Sequence, residues 1–236
     1  MQMTGLRLPG WLWAVLLFAL ALVPRAFALG HSVTPDEPNW VYRTLNFGAA
    51  LARGDWAGSV QAGHPGVTTM WLGSLGLAAQ RTVDPARAED AIAWLLKLDR
   101  LSPENVEAFK RIGVLLDWAR LPVIVVNALG VAGVYLLARR IFGQRVALLA
   151  AGLLALDPFA AGLGGLLHVD GLLMTFSALS LLALLNGLSS ATPNHSAFCI
   201  PHSAFCILHS AFCIPHSAFC ILHSAFRIPH SAFRIP

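Results

Sequence analysis

Charge is what this chain has least of: Asp, Glu, Lys and Arg are only 12% of its 236 residues, against ~25% in an ordinary soluble domain. Hydrophobic residues make up 56%, which excludes a disordered chain and argues against a soluble globular enzyme. Clustered basic charge is also missing. The 16 Lys and Arg give a formal net charge of +4, but they are scattered and no run exceeds two. A nucleic-acid surface is therefore excluded. Cysteine is absent from residues 1–194, since all four (Cys199, Cys206, Cys213, Cys220) lie in the tail.

That tail is six heptapeptides without gaps, from His195 to Pro236: HSAFCIP, HSAFCIL, HSAFCIP, HSAFCIL, HSAFRIP, HSAFRIP. Apolar and polar positions are repeated alike, as expected of duplicated 21-base DNA units rather than of a selected fold. Recurring prolines (Pro201, Pro215, Pro229, Pro236) exclude a coiled coil. The Cys-x-x-His spacing of metal ligands follows automatically from the repeat, so no metal and no cofactor is expected. For the same reason cysteine usage says nothing of redox compartment. Residues 191–236 are expected to be unstructured, and the informative chain ends near residue 194.

What is abundant is apolar sequence, uncharged except for Arg25 in the first of the runs named next and Asp157 in the third. Four runs, 11–29, 121–138, 146–167 and 171–188, are each close to the roughly 20 residues a helix needs to cross a bilayer. A fifth, 66–79, is shorter and rich in Gly and Thr, as suits an interfacial or re-entrant segment. Arg139, Arg140 and Arg145 lie between two spans and favour the cytoplasmic side. That requires the N-terminus inside, 30–118 outside, and His168, Val169 and Asp170 outside with it. The fold expected is an all-α, multi-pass helical bundle of about four spans in the plasma (inner) membrane. Its divisions are a first span (1–29), an external loop with amphipathic helices (30–118), three further spans (119–190) and the tail. A cleaved signal peptide is the rival reading of the first run, with Ala26-Phe27-Ala28 as its cleavage site.

The external loop holds ten of the twelve carboxylates. Residues 85–100 have apolar residues (Ile92, Trp94, Leu95, Leu96) at helical spacing. Ser102-Pro103-Glu104 opens a further helix that can run into the span at 121. Two adjacent acids, Asp36 and Glu37, stand just after the first span at a helix start set by Pro38. Asp36 is either an N-cap or, with His64 at the same lipid–water boundary, part of general-base chemistry on an amphiphilic substrate. Asp157 is costly in lipid and is expected to face the protein interior or to mark a local break at Pro158.

DEPNWVYRTLNFGAALARGDW followed by HPGVTTMWLG resembles the first external loop of the GT-C membrane enzymes that use polyprenyl-phosphate sugars. These are glycosyltransferases of the protein O-mannosyltransferase and aminoarabinose-transferase type. ARLPVIVVNALGVAGVYLLARRIFGQRVALLAAGLLALDPF and HVDGLLMTFSALSLLALL resemble their next three spans, so the resemblance covers residues 8–190. It implies an inverting transfer from a polyprenyl-monophosphate sugar to a lipid or protein acceptor on the external face. Asp36 would be the catalytic base and Glu37 would orient it or bind acceptor. His64, Arg43 and Arg120 would serve the phosphate, and His168 and Asp170 would line the same cavity. Family members have about twice as many spans, so the frame is expected to be truncated where the repeat begins. The alternatives are a small non-catalytic multi-pass membrane protein, an inactive fragment, or a transporter half suggested by the Asp157-Pro158 interruption.

Overall fold

A computed structural model describes residues 9–61, 66–97 and 106–189, and every regular element among them is an α-helix. The helices are α1 (Gly10–Ala26), α2 (Glu37–Ala52), α3 (Val67–Val83), α4 (Pro85–Leu96), α5 (Val106–Leu156), α6 (Pro158–Gly164) and α7 (Val169–Ser189). Two of them hold stretches long and apolar enough to cross a membrane, Arg111–Leu156 and Val169–Ser189; α1 is apolar but shorter.

The longest helix is really two. Gly143 has φ 80° and ψ 167°, which breaks α5 into arms. The arms fold back on each other: Ala128, Val131, Tyr135 and Ala138 of the first share one buried cluster with Ala147, Ala151 and Ala155 of the second. Leu17 and Ala21 of α1 complete that cluster. The alanines recur every fourth residue, so the second arm presents a smooth face and packs closely. Glycine at 143 supplies the left-handed turn without a Cβ penalty, and the exposed Arg140 and Arg145 flank it. At that end Gly10 of α1 lies against the Arg139 guanidinium. The start of α1 and the arginine turn therefore share one end of the bundle.

The outward faces identify the surrounding solvent. Leu121, Val125 and Leu129 on the first arm, and Leu149, Leu153 and Leu156 on the second, are exposed at helical spacing. So are Leu181, Leu184, Leu185 and Leu188 on α7. Stripes of this kind are liabilities in water and normal against lipid.

Residues 146–167 do not form one continuous helix, as the run of apolar residues suggests. The second arm ends at Leu156, and Asp157 accepts a hydrogen bond from the Ala160 amide (2.7 Å) to start α6, with Pro158 at its first position. Asp157 is exposed, so it does not face the interior; it caps a new helix.

The first arm, residues 106–142, is ~55 Å long at 1.5 Å per residue, against a hydrocarbon core of ~30 Å. Its excess length carries a platform. Ile112, Leu115, Leu116, Ala119 and Val123 are buried with Trp40, Val41 and Phe47 of α2, Met70 and Leu77 of α3, and Ile92 and Leu95 of α4. The Gln80 amide donates to the Val114 carbonyl (2.9 Å), and the Tyr42 hydroxyl to the Leu95 carbonyl (2.7 Å). Of the α4 residues expected to pack, Leu96 is exposed instead, at 57%. The Ser102-Pro103-Glu104 helix start lies outside the described residues.

The α3–α5 contact depends on what two residues lack. Pro122 has no N–H, so the Trp118 carbonyl loses its usual donor one turn on. Gly76 lies on that carbonyl; a Cβ there would overlap it and stand 3.0 Å from the Ala119 Cα. Both neighbours are backbone and cannot swing aside. Gly76→Leu is therefore expected to cost at least the ~1–3 kcal/mol of an overpacked core. Limited proteolysis should cut the 53–66 segment faster in this variant; unchanged cleavage would contradict the contact.

At the opposite end of α1, Arg25 is buried to 1% exposure. It donates to the carbonyls of Ala21 (2.9 Å) and Ala155 (3.3 Å). A Cβ at Gly164 would lie 2.8 Å from its Nε. Helices α1, α5 and α6 all end beside it, at Ala26, Leu156 and Gly164. The negative ends of three helix dipoles thus offset a charge that, among the described residues, has no carboxylate against it.

Candidate functional site

The site is organised by Glu37. Its side chain is fully buried and sits in the first turn of α2. Arg120 of α5 grips it with two bonds, Nε to Oε1 (2.7 Å) and Nη2 to Oε2 (2.6 Å). The Thr34 amide and hydroxyl both donate to Oε2 (2.9 and 3.0 Å), and the Leu167 amide donates to Oε1 (2.9 Å). Arg120 is itself fully buried, with Nη1 donating to the Ala28 carbonyl and Nη2 also to the Ser32 carbonyl. Asp117 lies 3.8 Å away and accepts from the Gly30 amide. Burial pushes the Glu37 carboxyl up, but the Arg120 hydrogen bonds and charge, with the Thr34 and Leu167 amides, outweigh it. The net result is a carboxyl held below the ordinary range.

This clamp joins the α1–α2 link, α2, α5 and the α6–α7 turn. It also sets a register. Glu37 is bonded to Leu167, so their chain neighbours Asp36 and His168 face each other, with Asp36 Oδ2 3.9 Å from His168 Nε2. The other ring nitrogen, Nδ1, is 3.2 Å from Asp170 Oδ2. A tight turn, with the His168 amide on the Leu166 carbonyl (2.9 Å), aims the ring. Trp40, one helical turn beyond Asp36, meets the His168 ring edge-on at 5.9 Å between centroids. Arg43 stacks over the same Trp40, 4.8 Å from its centroid.

Asp36 occupies the N-cap position of α2 but makes no capping hydrogen bond, and its backbone is already helical (φ −85°, ψ −26°). Its side chain is 74% exposed. Glu37 reaches back to the Thr34 amide and hydroxyl, the acid's half of a Thr-x-x-Glu box, with no side-chain cap bond at this helix start. Capping therefore gives no reason for an aspartate at 36.

Asp36, Arg43, His168 and Asp170, expected from sequence to share a face, do lie in one neighbourhood. Glu37 and Arg120 lie directly beneath it, sealed against each other. His64 is outside the described residues. Gly66, two residues after it, abuts Trp40 and Val169, with a positive φ of 149°. Asp55 holds a surface turn through the Gly58 amide (2.8 Å), leaving Trp56 73% exposed. Sequence reasoning did not single out Thr34, Trp40 or the Leu167 amide. The Thr34-x-x-Glu37 spacing was a usable signal for the first, and an aromatic four residues after Asp36 for the second. A backbone amide 130 residues from its partner leaves no trace in sequence.

Residues 106–211 match the family model of the dolichyl-phosphate-mannose-protein mannosyltransferases. The matched stretch spans α5, α6 and α7 and runs into the first repeats; it begins after the loop that carries Asp36. No curated protein and no solved structure matches the chain. Over α5 to α7, which bring Arg120, His168 and Asp170 to the site, this chain resembles the dolichyl-phosphate-mannose-protein mannosyltransferases, membrane glycosyltransferases of the GT-C type.

Proposed function

We propose that the chain is a membrane glycosyltransferase that transfers a sugar from a polyprenyl-monophosphate donor to an acceptor on the external face. Asp36 is the base. The observation that carries this reading is an exposed carboxylate, free of capping duty, fixed by a buried ion pair beside the stretch that resembles the mannosyltransferases. In the proposed step Asp36 accepts the acceptor's hydroxyl or amine proton. The freed electron pair attacks the anomeric carbon opposite the phosphate, and the polyprenyl phosphate leaves with inversion. Negative charge grows on that leaving group, and Arg43 and His64 are the groups assigned to it. Glu37 and Arg120 act as a strut that orients Asp36. This replaces substrate contact as their role, because their polar atoms are engaged with each other and with backbone.

The test is transfer by the full chain in liposomes, with polyprenyl-phosphate mannose or a nucleotide sugar as donor. Transfer from the lipid donor alone is expected. No transfer from either donor would favour a non-catalytic membrane protein.

A further inference from the structure

Arg43 enters the site without an ionic partner. Among the described residues nothing accepts a hydrogen bond from its guanidinium, and what holds it is the Trp40 ring, whose centroid is 4.8 Å from the guanidinium carbon. The two fully buried arginines nearby are placed differently: Arg120 is bonded to Glu37, and Arg25 to carbonyls. Arg43 is half-buried and keeps its N–H donors in a planar fork, the shape that fits a phosphate. A long side chain without bonds samples many rotamers. Stacking on an indole restricts that choice and leaves the donors open. Asp36, whose backbone is already helical, stands four residues before Trp40 and seven before Arg43. One face of α2 therefore carries all three. At 1.5 Å per residue the backbones of Asp36 and Arg43 are ~10 Å apart along the axis, with the indole between them.

We propose that Trp40 is the positioning residue for the donor's phosphate. It holds the Arg43 guanidinium and braces the chain at Gly66, two residues after His64, so that both groups assigned to the phosphate keep a fixed distance from Asp36. The proposal rests on the reading of Arg43 as a phosphate group. Trp40 is a firm support, being 3% exposed and part of the core shared by α2, α3, α4 and the first arm of α5. Its far rim, Cη2 and Cζ3, lies where a Cβ on Gly66 would be, and the positive φ of Gly66 (149°) favours glycine there as well. The chain can pass this close to the indole only with no side chain at 66. The leaving phosphate must lie across the anomeric carbon from the attacking atom. Its distance from the base therefore matters as much as its charge partner, since a ~1 Å misplacement can cost ~10²-fold in rate. A buried ring between the two groups on one helix face fixes that distance, which a freely rotating arginine could not do.

The test compares binding of polyprenyl phosphate with binding of the uncharged polyprenol, both to the full chain in nanodiscs. Their ratio reads the phosphate contacts alone, because a general loosening of the fold weakens both lipids alike. The unaltered protein is expected to prefer the phosphate. Arg43→Gln should lower that preference roughly tenfold, the scale of one desolvated guanidinium contact. Trp40→Leu, which removes the aromatic face, should lower it by a similar factor. The two together should lower it little further, because without the ring the guanidinium is no longer held in place. Trp40→Phe fills more of the core and keeps a weaker aromatic face. Its preference should fall between that of the unaltered protein and that of Arg43→Gln, and this variant decides the matter if Trp40→Leu does not fold. A preference unchanged in the Trp40 variants overturns the proposal while Arg43→Gln still shows its loss, and the phosphate reading of Arg43 then survives. Losses that add in the double variant also overturn it, since they would make the ring and the guanidinium independent. If Arg43→Gln itself leaves the preference unchanged, the phosphate reading of Arg43 falls and the role of Trp40 falls with it.

Discussion

Arg120→Met is expected to destabilise the fold by ~3–5 kcal/mol, the usual consequence of leaving one partner of a buried ion pair uncompensated. Methionine roughly fills the space, so the loss is electrostatic: Glu37 keeps its burial and loses its cation and two hydrogen bonds. Glu37→Gln should also be costly, since it strands the Arg120 charge. The two losses should not add. With both ends neutral, Arg120→Met with Glu37→Gln should be more stable than the sum of the single losses allows, the signature of direct coupling. Thermal unfolding in one detergent checks the cycle, and strict additivity would contradict the clamp.

The pH response gives a second reading of the same pair. In the unaltered protein the Glu37 carboxyl is held below its ordinary value. The unfolded chain therefore binds its proton first. The stabilisation is fully present above the unfolded value, near ~4.3, and is lost as pH falls below it towards the depressed folded value. In Arg120→Met burial remains, with the Thr34 amide and hydroxyl and the Leu167 amide as the carboxyl's partners. Burial is the largest influence on this carboxyl and it acts upwards. The folded state should then bind the proton first, and the variant should gain stability as pH falls through the range just above ~4.3. A slope of unchanged sign would mean that Arg120 is not what holds the carboxylate ionised.

How far the sequence reaches is clear from particular residues. The runs at 121–138 and 171–188 are helical, because unbroken apolar sequence of that length has few other stable forms in lipid. The Arg139–Arg145 stretch marks a reversal, and Gly143 makes it. The run at 146–167 misleads, because composition measures apolarity and not continuity, and one capped turn at Asp157 divides it. Arg25 interrupts the first apolar run, and three helix ends that come together only in the fold accommodate it. At the site, adjacency in sequence drew attention to Asp36 and Glu37 together but could not separate their roles. The separation comes from Arg120, 83 residues away, which takes one acid into the interior and leaves its neighbour outside. Long-range pairs of this kind leave no periodicity behind them.

The account stands or falls on that division of labour between two adjacent acids. Asp36→Asn keeps the side chain's shape, and asparagine ranks with aspartate as an N-cap. Asp36 makes no capping bond to lose and is largely exposed, so thermal stability should stay within ~0.5 kcal/mol of the unaltered protein, as for ordinary surface changes. Asparagine cannot accept the acceptor's proton, so turnover should fall by ~10²–10⁴-fold, the span of general-base assistance. Donor binding should be nearly intact, because the phosphate contacts are assigned to Arg43 and His64. The most direct measurement is turnover of Asp36→Asn with polyprenyl-phosphate mannose at saturating donor, beside its unfolding temperature in the same detergent. A folded, donor-binding, inactive variant is the result expected. Turnover near that of the unaltered protein would remove Asp36 as the base, and a variant that fails to fold would make it a structural residue after all.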